Sequence, residues 1–195
     1  ESMDIKNGNA AMLFNFRYSV AARAGKTELA LSIFRESIQS GYWYSSDYLK
    51  SDTDLDTLRP YAEFSEMVEI CREREIAARM SARPASKIIA PSEVRDECPV
   101  LVVLHGNSQN IPITEEYWRC EATSHCLLML LQSSQIDSTD AFTWSDYPKG
   151  SNELKKHCED LFRDRKVDRG RIILGGFSAG ARTALYSALN GMIDA

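Results

Sequence analysis

The spacing of apolar positions along the chain changes near Pro84. Up to about residue 83, apolar residues recur at three- and four-residue intervals and β-rich runs are almost absent, which is the period of helices packed through one face. A first helix is predicted from about Ala10 to Ala24, followed by a turn at Gly25-Lys26. Thr27 is then placed to cap a second helix through Ser40, with Glu28 in its first turn. Leu29, Ala30, Ile33, Phe34 and Ile38 fall on one face of that second helix. Gly41 ends it, and "YLKSDTDLDTLRPY" leads into a third helix from about Tyr61 to Ser81.

After Pro84 the pattern becomes one of strands alternating with helices. "PVLVVLHG" (99–106), "CLLMLLQ" (126–132) and "RIILGG" (171–176) are continuous apolar runs, as expected of strands buried on both faces of a parallel sheet. Between the first two lies "ITEEYWRCEATSH", with Thr114 as its expected cap. Between the second and third lies "SNELKKHCEDLFRD", whose Leu154, Cys158, Leu161 and Phe162 form an apolar stripe. The order strand, helix, strand, helix, strand, helix implies right-handed crossovers and a parallel sheet with helices on both faces. The expected division is therefore a helical region, 1–83, and an α/β region, 84–195.

The third strand runs directly into Gly176-Phe177-Ser178-Ala179-Gly180, the G-x-S-x-G pattern of a nucleophile elbow. A serine hydroxyl is a weak nucleophile unless it is held clear of its neighbours and given a base. Small residues two positions before and after the serine let a strand turn sharply into a helix and lift that side chain above the sheet edge. The following helix, "SAGARTALYSALNG", is closed by Gly191 and turns its positive dipole end toward Ser178.

Other readings of the glycines fail. A dinucleotide fingerprint would need glycine at Phe177 or Ser178, and the phosphate-loop ending Gly25-Lys26-Thr27 has Val20 where its first glycine belongs, without an apolar strand before it.

Composition narrows the function further. The 195 residues, 44% hydrophobic and 26% charged, are those of a globular chain of one domain or two small ones. A formal charge of −5 offers no basic footprint for nucleic acid or anionic lipid. Arg72, Arg74, Arg79 and Arg83 alternate with Glu69, Glu73 and Glu75 and read as a solvated helix face. No run reaches the roughly 18 apolar residues of a membrane span, and no signal sequence is recognisable. Five cysteines without a CxxC pair suit a reducing compartment, so a cytoplasmic location is expected. Cys120, His125 and Cys126 hint at a metal, but Cys126 opens an apolar run and burial is the expected role, so no metal is expected.

Two resemblances extend this reading. The helical half resembles a tetratricopeptide-type repeat through Ala21, Gly25, Ala30, Leu31, Phe34 and Ile38, and "DTDLDTLRPYAEF" resembles the segment that often follows a final repeat. That likeness implies a helical hairpin that holds a protein partner or packs against the next domain. With one unit where solenoids generally need about three, packing is the expected role.

From about residue 97 onward, "LVVLHGNSQN", "LLQSSQIDSTDAFTWSD" and "VDRGRIILGGFSAGARTALYSAL" resemble the phospholipase/carboxylesterase branch of the α/β-hydrolases. This likeness implies an incomplete α/β-hydrolase fold and cofactor-free hydrolysis of an acyl ester or thioester. It implies Ser178 as nucleophile, with an oxyanion hole formed by the backbone N–H groups of Ala179 and of Asn107 or Ser108. His105, Gly106, Gly176 and Gly180 would be motif supports, His105 steadying its loop. Trp144 and Asp146 would lie near the pocket mouth, with packing an equal alternative for Trp144.

The resemblance also shows what the sequence does not supply. The family orders its triad as serine, acid, histidine, and no histidine follows Ser178; Asp194 is the only later acid. His157, four residues from Glu153, reads as a surface histidine paired with it, and His125 precedes a strand at the sheet end opposite the elbow. The strand Arg171 to Gly176, central in the family, is expected to be an uncovered apolar edge here, as in a piece of a longer protein or a truncated gene product. Two functions follow: a serine carboxylesterase-type hydrolase whose acid and histidine are missing from these residues, or a non-catalytic interaction protein that uses the helical hairpin beside a degenerate hydrolase domain.

Overall fold

A computed structural model describes residues 10–91, 97–120 and 125–191. The chain divides into two compact units. One runs up to Ala82 and takes in Ile136–Asp140; the other comprises Arg83–Gln135 and Ala141–Ala195.

The first unit is helical: α1 (Ala10–Arg23), α2 (Thr27–Gln39), α3 (Ser46–Ser51) and α4 (Ala62–Ser81). α1 ends where its backbone reverses at Gly25, at φ 70°. The N–H of Lys26 donates to Ala21 O at 2.9 Å and that of Gly25 to Ala22 O at 3.0 Å, a Schellman closure. The same closure recurs at Gly41, where Tyr42 N–H donates to Ser37 O at 3.1 Å. Gly25-Lys26-Thr27 is thus a helix-terminating turn, and α1 and α2 pack on each other across it.

Their shared core is an aromatic cluster of Tyr18, Phe34, Tyr44 and Phe64, with adjacent ring centroids 4.9–6.1 Å apart. Asp137, half-buried in this unit, has its carboxyl pushed above the usual range by burial.

Four expectations for this unit are corrected. Thr27 does not cap α2: Lys26 occupies the cap position and no side chain closes the turn. Leu31, not Leu29, completes the buried face of α2, leaving Leu29 49% exposed. "YLKSDTDLDTLRPY" holds the end of α3 and a 3-10 turn at Thr53–Leu55. Arg74 is not part of a solvated row; its guanidinium donates to Ile38 O and Tyr42 O, both at 2.8 Å, and so adds a side-chain donor to the C-terminal end of α2 and the turn after it.

The second unit contains β1 (Ala85–Ile89), β2 (Val100–Leu104), α5 (Ile111–Trp118), β3 (Leu127–Gln132), β5 (Ala141–Phe142), α6 (Tyr147–Asp164), β6 (Ile172–Gly176) and α7 (Ala179–Leu189). The short strand β4 (Ile136–Ser138) belongs to the first unit, where Ser138 bridges Tyr44. The sheet order is β1-β3-β2-β6. β3, β2 and β6 are parallel, as the apolar runs predict, but β1 pairs antiparallel with β3. The expected all-parallel sheet is therefore corrected to a mostly parallel one.

β1 lies at an edge of the sheet, and its Lys87, a charge of the kind that blunts an edge, pairs with Glu115 of α5 at 2.6 Å. Helices cover both faces of the centre. Val100, Val102 and Leu104 of β2, with Leu127, Met129 and Leu131 of β3, pack with Leu154, Cys158 and Leu161 of α6 and Ala184 of α7. Val103, Leu128 and Leu130 face the other way, toward Ile111 and Trp118 of α5. β6 forms the opposite edge among the described residues, with Ile173 54% exposed. No helix among those residues is long and apolar enough to cross a membrane.

Candidate active site

Parallel pairing decides where the candidate residues meet. Leu104, the last residue of β2, stands in register with Gly176, the last of β6. The loop His105-Gly106-Asn107 and the elbow Phe177-Ser178-Ala179 therefore leave neighbouring strands at the same sheet end, about 4.8 Å apart in the pairing direction. Phe177 N–H extends the ladder one step further, to Leu104 O at 3.3 Å.

Ser178 sits at φ 53°, ψ −114°, a conformation that L-residues rarely adopt. It occupies the cap position of α7 without using its side chain to close the helix, and it is exposed, so the hydroxyl is free for another task. The two flanking glycines are demanded by close packing. A Cβ on Gly176 would lie 2.7 Å from the Gly180 carbonyl carbon and 2.9 Å from Leu104 O; one on Gly180 would lie 2.5 Å from Leu104 O and closer still to His105 O. All these neighbours are backbone atoms, which cannot swing aside. Ala179 opens α7, and an N–H in a helix's first turn has no partner inside the helix. Such an N–H, at the positive end of the dipole, is suited to holding developing negative charge.

Most residues of the loop after β2 have hydrogen-bond partners. His105 is fully buried; its Nδ1 lies 2.6 Å from Gly106 O, and Ser133 N–H donates to its Nε2 at 3.2 Å. An amide can only donate, so Nε2 is the unprotonated nitrogen and Nδ1 carries the hydrogen. Burial drives the His105 pKa down to about 4, against the Gly106 carbonyl, which favours the charged ring. The neutral ring is thus a fixed strut between β2 and the end of β3.

Gly106 N–H donates to Gln109 Oε1 at 2.7 Å, and Thr143 Oγ1 donates to Asn107 Oδ1 at 2.6 Å. Ser108 reverses the chain at φ 56°. Asn110 caps α5 by accepting from Ile113 N–H at 3.1 Å, a role expected of Thr114; Thr114 instead lies buried one turn in, its hydroxyl donating to Asn110 O at 2.8 Å.

For Trp144 the packing alternative holds, and the pairing expected of Glu153 is corrected. Trp144 is 1% exposed, stacks on His105 with centroids 4.9 Å apart and donates its indole N–H to His105 O at 2.9 Å, so it packs beneath the loop and does not line a mouth. Glu153 does not pair with His157. Its carboxylate accepts from Ser134 N–H at 3.2 Å and from the Ser134 hydroxyl at 2.5 Å, which leaves His157 half-buried on α6 with its pKa lowered by that burial. Asp146, expected near the pocket mouth, caps α6 by accepting from Lys149 N–H at 2.9 Å.

None of the three histidines is brought to Ser178. His105 has both nitrogens occupied. α6 starts beside Gln135, past the C-terminal end of β3, and is followed by Val167-Asp168 beside Cys98, ahead of β2. His157 is therefore about 15 Å down the helix axis from the elbow end of the sheet. His125 precedes β3, about one strand length, roughly 20 Å, from that end. Asp194 lies outside the described residues. Of the metal hint, Cys120 is exposed and Cys126 half-buried just ahead of β3. Sequence reasoning missed Gln109 and Thr143 as partners of the loop; the only local signal was their amide and hydroxyl groups, because both bonds depend on the fold.

Of the comparisons with known proteins, the family model bears on the helical half of the chain. A family model described as the N-terminal domain of A/B hydrolase-like proteins matches residues 1–79. A search of curated proteins finds no match. A 2.75 Å crystal structure of an uncharacterized protein from Bacillus cereus ATCC 10987 is 39% identical, with 96% of this chain and 59% of that one covered and a TM-score of 0.47; the chain thus spans 59% of that relative's length. The family model, matching a helical segment that precedes a mostly parallel sheet, supports an α/β-hydrolase-like relationship for this protein.

Proposed function

We propose that the second unit is the nucleophile-bearing part of a serine hydrolase of the carboxylesterase or thioesterase type. The observation that carries this reading is the backbone of Ser178: a serine at φ 53° between a parallel strand and a helix, flanked by two glycines at which any Cβ would collide with backbone atoms. Strain of about 1–3 kcal/mol is retained in a fold only where the surroundings over-determine it, and such sites cluster at functional centres.

In this mechanism Ser178 Oγ attacks the acyl carbonyl carbon and passes its proton to a base. The Ala179 and Asn107 N–H groups hold the tetrahedral oxyanion, each worth about 2.7–4 kcal/mol in the transition state. Collapse of that intermediate expels the alcohol or thiol, and water then releases the acid from the acyl-enzyme. The reading requires a proton acceptor from outside the described residues, since the three histidines stand elsewhere.

That placement of the histidines favours a second reading: an interaction protein in which a tetratricopeptide-like hairpin binds a partner and the hydrolase-like unit is a support. Hydrolysis of p-nitrophenyl acetate, butyrate and octanoate by the protein expressed from its whole coding sequence separates the two. Turnover abolished by Ser178→Ala supports the hydrolase. A folded protein that turns over none of these esters, yet binds a protein partner through residues 10–81, supports the second reading.

A further inference from the structure

Gly106 and Gln109 point to a device for steering the oxyanion loop. The Gly106 N–H would be a natural oxyanion donor, since it follows β2 directly, but it is already occupied: Gln109 Oε1 accepts from it at 2.7 Å. Because that amide can only donate, the orientation of the Gln109 side chain is determined, its oxygen toward Gly106 and its NH2 group away.

Gln109 is itself anchored. Phe142 N–H donates to Gln109 O at 3.1 Å, and the two residues form an antiparallel bridge. The positive φ of Ser108 folds the chain back so that Gln109 lies over Gly106. A Cβ on Gly106 would meet Gln109 Oε1 and Phe177 Cδ1, each at 2.8 Å, so the Gln109 amide and the ring preceding Ser178 close over the same glycine.

We propose that Gln109 is a positioning residue of this loop: by taking up the Gly106 N–H, it leaves that of Asn107 as the next donor along the loop and sets its place beside the elbow. The proposal rests on the hydrolase reading above. Asn107 contributes its own brace through the 2.6 Å bond from Thr143. Removing the Gln109 acceptor leaves a buried N–H unsatisfied, and the loop must shift to recover a partner. A displacement near 1 Å at an oxyanion donor is enough to cost about tenfold to a hundredfold in turnover.

The test compares wild type, Gln109→Met and Gln109→Glu in the protein expressed from its whole coding sequence. It measures p-nitrophenyl butyrate turnover, phosphonate labelling of Ser178, and hydrogen exchange at the Gly106 amide. Gln109→Met, similar in length but without a comparable acceptor, is expected to lower kcat tenfold or more with KM within twofold and to speed exchange at Gly106. Gln109→Glu, which keeps an acceptor, is expected to restore slow exchange there. If wild type turns over ester and is labelled while Gln109→Met does both at the wild-type rate, the inference is overturned and the hydrolase reading stands. If Gln109→Glu exchanges as fast as Gln109→Met, the acceptor has no role and the inference is likewise overturned. If wild type neither turns over ester nor is labelled, the hydrolase reading falls and takes the inference with it.

Discussion

His105 makes the stability of the second unit depend on acid in a calculable way. Its pKa falls from an ordinary 6.5 to about 4 because the ring is buried, against the Gly106 carbonyl, which favours the charged form. The unfolded chain therefore binds a proton at this residue through a range in which the folded protein does not. The contribution is fully present above about pH 6.5 and is lost progressively as pH falls toward 4, where the folded ring also becomes protonated. A shift of this size corresponds to about 3 kcal/mol over the whole range, of which about 2 kcal/mol is lost between pH 7 and pH 4.5.

Other titrating groups contribute too, so the clean measurement is a difference. Urea unfolding of wild type and His105→Gln, at pH 7 and at pH 4.5, isolates the one imidazole. At pH 7 the variant is expected to be less stable by about 1–3 kcal/mol: its amide oxygen can still accept from Ser133 N–H, but the Nδ1 bond to Gly106 O and the ring packing on Trp144 are lost. At pH 4.5 the gap should narrow by about 2 kcal/mol. A gap that is the same at both pH values would show that the ring titrates near its ordinary value and is no buried strut.

The elbow and its supports yield further expectations. Gly180→Ala should cost about 3 kcal/mol or more in unfolding free energy, because its Cβ meets the Leu104 and His105 carbonyl oxygens; a loss below 1 kcal/mol would mean the elbow is looser than described. Ser178→Gly should raise stability by about 1 kcal/mol, relief of backbone strain outweighing the entropy of glycine, and a drop in the melting midpoint would deny that strain. Trp144→Phe removes the indole N–H bond to His105 O and should cost about 2 kcal/mol by urea unfolding; an unchanged midpoint would indicate a surface residue.

The features legible in the sequence were those with a local cause. Gly25 and Gly41 announced helix ends because only a residue tolerant of positive φ closes a helix in that way. β2 and β3 were recognisable as buried strands because both faces are covered, which leaves every side chain apolar. Gly176 and Gly180 could be named from their spacing alone, and the packing shows why that spacing is needed. β1 was not visible: "ASKII" carries an exposed Ser86 and Lys87, and its strand character comes from pairing with β3.

Asn110 could have been recognised as the α5 cap, since Pro112 two residues later marks a first helical turn. The roles of Trp144, Glu153 and Arg74 were not accessible in the same way. Each depends on a partner distant in the chain, at His105, Ser134 and Ile38 respectively, and no local period encodes such a pairing. The candidate nucleophile was therefore readable from sequence, whereas the framework that holds its loop became visible only with the fold.

The central claim, that Ser178 is an activated nucleophile, is tested most directly by reacting the protein expressed from its whole coding sequence with a fluorophosphonate and mapping the adduct by mass spectrometry. The account predicts a single stoichiometric adduct on Ser178 that disappears in Ser178→Ala. An unmodified Ser178, or an adduct that persists in the alanine variant, would contradict it.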